Sequence, residues 1–227
     1  MPASSLRPTG APELSLLERS ESLDEAAAAL RERGWWSGDD ALDPILVQAL
    51  LGSLARLQSA EALYRAGIGR ENEFRVEKTI RGDRIHWLSR NDPVQARFLD
   101  QMEALRQRLN RALFLGLFEF EAHFAHYPPH AFYRRHVDSF RGAANRVLSI
   151  VAYLNSDWRP GDGGELMLYA ETGEEVLARI EPNGGRLAIF LSEEIPHEVL
   201  PARRDRYSIA GWYRLNASIQ GQIDPPR

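Results

Sequence analysis

Cysteine is absent from the 227 residues, which excludes a disulfide framework, a thiolate nucleophile and any Cys-ligated zinc or iron–sulfur site. Metal chemistry must therefore come from histidines and carboxylates. An excess of basic residues is missing too. The 28 Lys and Arg stand against 32 Asp and Glu, a net charge of -4, so a phosphate-backbone partner is not expected. No apolar run approaches the roughly 18 residues of a membrane span, and residues 1–15, rich in Pro, Ser and Ala, lack the apolar stretch of a secretory signal. These absences predict a cytoplasmic protein that engages neither nucleic acid nor membrane. What remains, 44% hydrophobic and 26% charged, is an ordinary globular composition long enough for one substantial core.

The front of the chain reads as helical. Residues 1–20 are expected to be a disordered tail, followed by one domain over 21–227. Ser22 caps a run of Ala and Leu up to about Arg33. Asp43-Pro44 and Asp92-Pro93 each place a capping carboxylate before a first-turn proline. Behind them, Ile45, Leu46, Leu50, Leu54 and Leu57, then Val94, Phe98, Met102, Leu105, Leu109 and Leu113, recur at helical spacing. From about Phe118 the period changes to two, with Phe118, Phe120, Ala122 and Phe124 alternating against Glu119, Glu121 and His123. Further strands are expected at residues 146–154, 165–169, 186–191 and 206–213, separated by Pro- and Gly-rich turns. Helices followed by short strands predict an α+β chain. Its helical layer, about residues 21–115, packs on a jelly-roll core of about residues 75–215.

On an extended segment His136 and Asp138 point the same way, so an imidazole and a carboxylate converge. Alone this is weak, since chance gives such a triplet in roughly one chain in three of this composition. His197, just after the strand at 186–191, offers a second imidazole. Two histidines and one carboxylate form a facial triad with three open positions, which suits Fe(II) binding a chelating cosubstrate and O₂, although zinc accepts the same ligands. The strand at 206–213 then puts Arg206, Ser208, Ala210 and Trp212 on one face. Arg206 is the natural clamp for a keto-acid carboxylate, because its planar fork meets both oxygens.

His136-x-Asp138, Tyr153-Leu-Asn155, Gly163-Gly164, His197-Glu-Val and Arg206 with Trp212 resemble, in combination and order, the prolyl hydroxylase branch of the 2-oxoglutarate oxygenases. The likeness is to the hypoxia-inducible-factor type and its bacterial relatives, and covers about residues 75–214. The stretches Ile80-Arg-Gly-Asp-Arg-Ile-His-Trp87 and Ile180-Glu-Pro also resemble that branch. The resemblance implies a double-stranded β-helix that uses Fe(II), 2-oxoglutarate and O₂, with ascorbate keeping the iron reduced. It implies His136, Asp138 and His197 as iron ligands, with Arg206, Tyr153 and Tyr127 at the 2-oxoglutarate carboxylate. Tyr133 and Trp212 would border a substrate proline. Arg81, Asp83 and Arg146 would organise the peptide side, with Asp83 and Arg146 paired beside the loop after Glu71. The implied partner is a proline-containing protein, with a translation elongation factor the target associated with bacterial members. Ala210 departs from relatives that carry a hydroxyl there.

Two other readings stay open: the same chemistry on a small molecule or another side chain, and a cupin-like metal sensor without turnover. Asp138 argues against the sensor, which has no need of open positions beside a carboxylate clamp. His123 and His126 lie on an alternating strand and read as structural, and His130 reads as an exposed loop residue.

Overall fold

The computed structural model describes residues 20–65, 81–138 and 145–216. The N-terminal tail, the loop following Glu71 and Ile80 lie outside these. Helix α1 (Ser20–Arg33) begins two residues before the expected Ser22 cap, within the usual variation of helix ends, and buries Leu23, Ala26, Ala27, Ala29 and Leu30. Helices α2 (Pro44–Ser59) and α3 (Pro93–Leu113) start where the Asp-Pro pairs place them. Asp43 accepts the Ile45 N–H, and Asp92 accepts those of Val94 and Gln95, so donors that the helix itself cannot satisfy are capped. The α3 stripe is buried as expected at Phe98, Met102, Leu105 and Leu109. In α2 the buried face is Leu46, Val47, Leu50 and Leu54, whereas Ile45 is 70% exposed, a correction to its place in the stripe. Among the described residues no helix is long and apolar enough to cross a membrane.

Eleven strands follow among the described residues: β1 (Trp35–Gly38), β2 (Tyr64–Arg65), β3 (Arg84–Trp87), β4 (Glu119–Tyr127), β5 (Tyr133–His136), β6 (Arg146–Tyr153), β7 (Leu166–Tyr169), β8 (Val176–Ile180), β9 (Leu187–Leu191), β10 (His197–Val199) and β11 (Arg206–Arg214). They form a seven-stranded sheet, β1-β9-β6-β11-β4-β3-β2, and a four-stranded sheet, β5-β10-β7-β8. Every paired neighbour in them is antiparallel. The two sheets make the jelly roll.

The period-two expectation for residues 118–124 decides where the layers go. Phe120, Ala122 and Phe124 pack with Phe98, Met102, Leu105 and Leu109 of α3, in a core between the helices and the large sheet. Ala125 and Tyr127, on the opposite face, join Tyr153, Leu166, Leu168, Phe190 and Val199 in a second core between the sheets. The difference between the two faces therefore fades along β4, because its second half is covered on both sides. The inward face of the second core carries the chemistry.

Candidate active site

The small sheet brings the two distant histidines together. β5 and β10 pair antiparallel with His136 and His197 as direct partners. Asp138, two residues beyond the end of β5, completes a group whose ligand atoms all lie within 4.8 Å of one another. The Nε2 atoms of His136 and His197 stand 3.5 and 3.6 Å from the Asp138 carboxylate oxygens. The three side chains are only 19, 12 and 7% exposed in chain order.

Each imidazole is oriented by its far nitrogen. His136 Nδ1 donates to the Arg134 carbonyl at 2.7 Å and His197 Nδ1 to that of Ile195 at 3.1 Å. A carbonyl only accepts, so Nδ1 carries the proton and the Nε2 lone pair is free, the tautomer a metal ligand needs. Burial holds the His197 imidazole neutral down to about 4, helped by its neighbour His136. Burial opposes the charge on Asp138. The imidazoles of His197 and His136 and the Ser149 hydroxyl outweigh it and keep the carboxyl well below the usual range.

Arg206, Ser208 and Trp212 face inward from β11 as the alternation requires. Arg206 is 1% exposed. It donates to the Gly164 carbonyl at 2.8 Å and to Ser208 Oγ at 3.3 Å, and its guanidinium lies over the rings of Tyr127 and Tyr153. Among the described residues it meets no carboxylate. The register explains the grouping, since Arg206 pairs with Tyr127 and Ser208 with Tyr153 across the two neighbouring strands. Gly164 is glycine for a steric reason. With φ at +73°, a Cβ would sit 2.9 Å from that of Ala202 and 3.2 Å from Arg206 Cδ, so only glycine brings this carbonyl to the guanidinium. Asn155 ties the end of β6 to the start of β11, taking the Tyr207 N–H at 2.6 Å and donating to the Pro182 and Tyr207 carbonyls. The Tyr153 hydroxyl is buried with no hydrogen-bond partner among the described residues. Burial raises its pKa to about 12, against the pull of Arg206.

Of the residues expected on the substrate side, Tyr133 and Trp212 touch the triad directly, Arg81 and Arg146 lie behind them, and Asp83 lies behind Arg81. Tyr133 stacks on His136, centroids 3.6 Å apart, and Arg81 covers Tyr133 at 4.4 Å. The Trp212 indole N–H donates to Asp138 Oδ2 at 2.9 Å, and Arg146 lies 3.6 Å over that indole. The pairing of Asp83 with Arg146 is not formed. Asp83, fully buried, takes both bonds from Arg81 at 2.7 and 2.6 Å, while Arg146 bonds Glu121 at 3.1 and 2.9 Å. The cause is local: positions i and i+2 of Arg81-Gly-Asp83 share a side, and the Arg81 bridge to Tyr133 pins that side inward.

Among the described residues, His123, His126 and His130 lie outside the group that could hold a metal. His123 is buried with its ring edge-on to Trp87, His126 bonds Asp205 and Gln58, and His130 turns on the surface with φ at +67°. Two contributors escaped the sequence reading. Ser149 donates to Asp138 Oδ2 at 2.6 Å and touches Ser192 Oγ at 2.9 Å. The available signal was a lone hydroxyl inside the apolar run Val147-Leu-Ser-Ile-Val151.

The profile of the 2OG-Fe(II) oxygenase superfamily matches residues 122–214, the stretch that holds the triad and Arg206. A Pseudomonas putida prolyl-4-hydroxylase superposes with a TM-score of 0.77 at 41% identity, covering 85% of this chain and 98% of that one. A Trichoplax adhaerens prolyl hydroxylase, solved with a hypoxia-inducible-factor oxygen degradation domain peptide fragment, gives 0.75 at 26% identity, over 86% of this chain and 91% of that one. Human Egl nine homolog 1 is 34% identical over 145 residues, 60% of this chain, and the chain spans 33% of that relative's length. The metal-competent triad, the inward arginine and these likenesses agree, and the chain belongs to the prolyl hydroxylase branch of the 2OG-Fe(II) oxygenase superfamily.

Proposed function

We propose that this chain is an Fe(II)- and 2-oxoglutarate-dependent dioxygenase that hydroxylates a prolyl residue of a protein, with His136, Asp138 and His197 as iron ligands. Arg206 is the observation that carries the reading. A guanidinium so deeply buried, and without a carboxylate partner among the described residues, leaves an uncompensated charge that an incoming carboxylate relieves. The unpartnered Tyr153 hydroxyl beside it offers that carboxylate a second bond. These residues fit 2-oxoglutarate. Its distal carboxylate pairs with Arg206 and Tyr153, with Tyr127 alongside, and its 2-oxo acid end turns to the triad.

Bound iron supplies the oxidative chemistry, in which O₂ and 2-oxoglutarate are consumed together to give succinate, CO₂ and one oxygen atom for the substrate. The protein contributes orientation and exclusion of water. The apolar walls of Leu166, Leu168, Phe190 and Val199 keep the inner cleft dry and strengthen the Arg206 pair. Arg81, Asp83, Tyr133, Arg146 and Trp212 organise the approach of the peptide. Ascorbate maintains the reduced metal, and a translation elongation factor is the candidate substrate. The relatives support a prolyl target through their names, prolyl-4-hydroxylase and prolyl hydroxylase.

The test is a lysate incubated with purified protein, Fe(II), 2-oxoglutarate and ascorbate, followed by intact-mass and peptide mapping. A proline-bearing peptide gaining one oxygen atom, together with succinate, is expected. Ala at His136, Asp138 or His197 should abolish both signals. Succinate formation that is indifferent to iron would overturn the reading.

A further inference from the structure

Asp138 is held from behind at one oxygen only. Its Oδ2 accepts from Ser149 Oγ at 2.6 Å and from Trp212 Nε1 at 2.9 Å. The single proton of Ser149 is thereby committed, so the 2.9 Å contact between Ser149 and Ser192 is a bond that Ser192 donates. Both serines are fully buried, at 1 and 0% exposure, where an idle hydroxyl is expensive. Ser149 comes from β6, Trp212 from β11, and Ser192 from the residue after β9, which is hydrogen-bonded back to Val147 of β6 at 3.0 Å.

A carboxylate has about four lone-pair sites, two on each oxygen. The two donors occupy those of Oδ2 and leave those of Oδ1. This count matters for a metal held by two imidazoles and one carboxylate. If Asp138 gave both oxygens, it would fill one of the three remaining positions, and a chelating 2-oxo acid with O₂ requires all three. We infer that Ser149, backed by Ser192, is a positioning residue that confines Asp138 to ligation through one oxygen and so keeps the third position open. The inference rests on the assignment of the triad as the metal site.

Co(II) titrated into the metal-free full-length protein and followed by visible absorption tests it without turnover. Ser149→Ala should weaken Co(II) binding about 10–100-fold, as loss of an outer hydrogen bond to a ligand commonly does. It should also change the absorption envelope, because the freed carboxylate alters the coordination number. Ser149→Thr, which keeps the hydroxyl, should restore both. The double variant Ser149→Ala/Ser192→Ala leaves no orphan hydroxyl, so its thermal stability should recover while Co(II) affinity stays low. Affinity within about twofold of wild type for Ser149→Ala, with an unchanged spectrum, overturns the inference. Recovery of affinity along with stability in the double variant overturns it as well, and marks the serines as packing alone. The underlying metal assignment fails separately, if His136→Ala binds Co(II) as well as wild type does.

Discussion

At the scale of single residues, the buried guanidinium and the buried phenol beside it each yield a prediction about 2-oxoglutarate, and the phenol adds one about stability. Arg206→Lys keeps the charge but loses the planar fork and the bond from Nε to the Gly164 carbonyl. The apparent KM for 2-oxoglutarate should rise well beyond tenfold, consistent with the roughly 2–5 kcal/mol that disrupting a desolvated charge pair costs. An unchanged KM would place the carboxylate elsewhere. Tyr153→Phe removes a hydroxyl that has no partner among the described residues. The cosubstrate-free protein should then gain on the order of 1 kcal/mol in urea unfolding, while KM for 2-oxoglutarate rises about tenfold. A stability loss would mean that the hydroxyl already serves the empty fold. The triad and Arg206 were legible in combination and not singly, since a His-x-Asp pair, a later histidine and an inward-facing arginine follow one another in the order of the family they resemble. Ser149 was not, because a serine in an apolar strand becomes informative only once the atom in front of it is known. The Asp83 pairing failed for the same kind of reason. Family likeness can bring charges to one region, but the rigid bridge between Arg81 and Tyr133 chooses the partner.

Secondary-structure elements were readable in proportion to their length and local chemistry. The two Asp-Pro helices needed only a cap and a stripe. Five strands of four to nine residues showed alternation or an apolar run. β1, β2, β3, β5, β8 and β10 have at most five residues each and lack the continuous apolar run that marks the equally short β7 and β9, and their pairing is decided by partners far along the chain. The cap of α3 yields a test at this scale. Burial opposes the charge of Asp92, but the N–H groups of Gln95 and Val94, the Ser53 hydroxyl and Arg56 together lower its pKa. A carboxyl depressed in the fold stabilises above its unfolded pKa, and that contribution fades as pH falls through the folded value. Asp92→Ala should therefore cost about 1–2 kcal/mol at pH 7, with a smaller gap from wild type in acid, read from urea midpoints. A gap that is constant with pH would remove the charge from the explanation.

The whole molecule is a roll with one core facing helices and another facing its own chemistry, and its acid sensitivity follows from what the inner face buries. His123 sits between the indoles of Trp87 and Trp212, at ring distances of 5.2 and 5.6 Å, with Nδ1 donating to the Phe124 carbonyl. Burial lowers its pKa from 6.5 to about 4. The unfolded chain therefore takes up the proton first. The neutral ring stabilises the fold above pH 6.5, and that stability drains away as pH falls from 6.5 towards 4. His123→Phe keeps a ring in the slot without a titrating group. It should lose about 2 kcal/mol less than wild type between pH 7 and pH 5, measured by urea unfolding at each pH. Equal losses would show that the acid response originates elsewhere.

The direct pairing of His136 with His197 joins two properties usually discussed apart. A slip of one residue between β5 and β10 would turn one imidazole to the opposite side of the small sheet, since side chains alternate along a strand. Only the native alignment presents both nitrogens to one ion, so an ion that binds both excludes the slipped alignments in proportion to its affinity. Backbone amides of β5 and β10 should accordingly exchange with deuterium more slowly when a divalent ion is present, while those of β4 and β6 in the large sheet, whose alignment does not depend on the ion, change far less. The occupant of the site is thus also the arbiter of alignment in the strands that hold it.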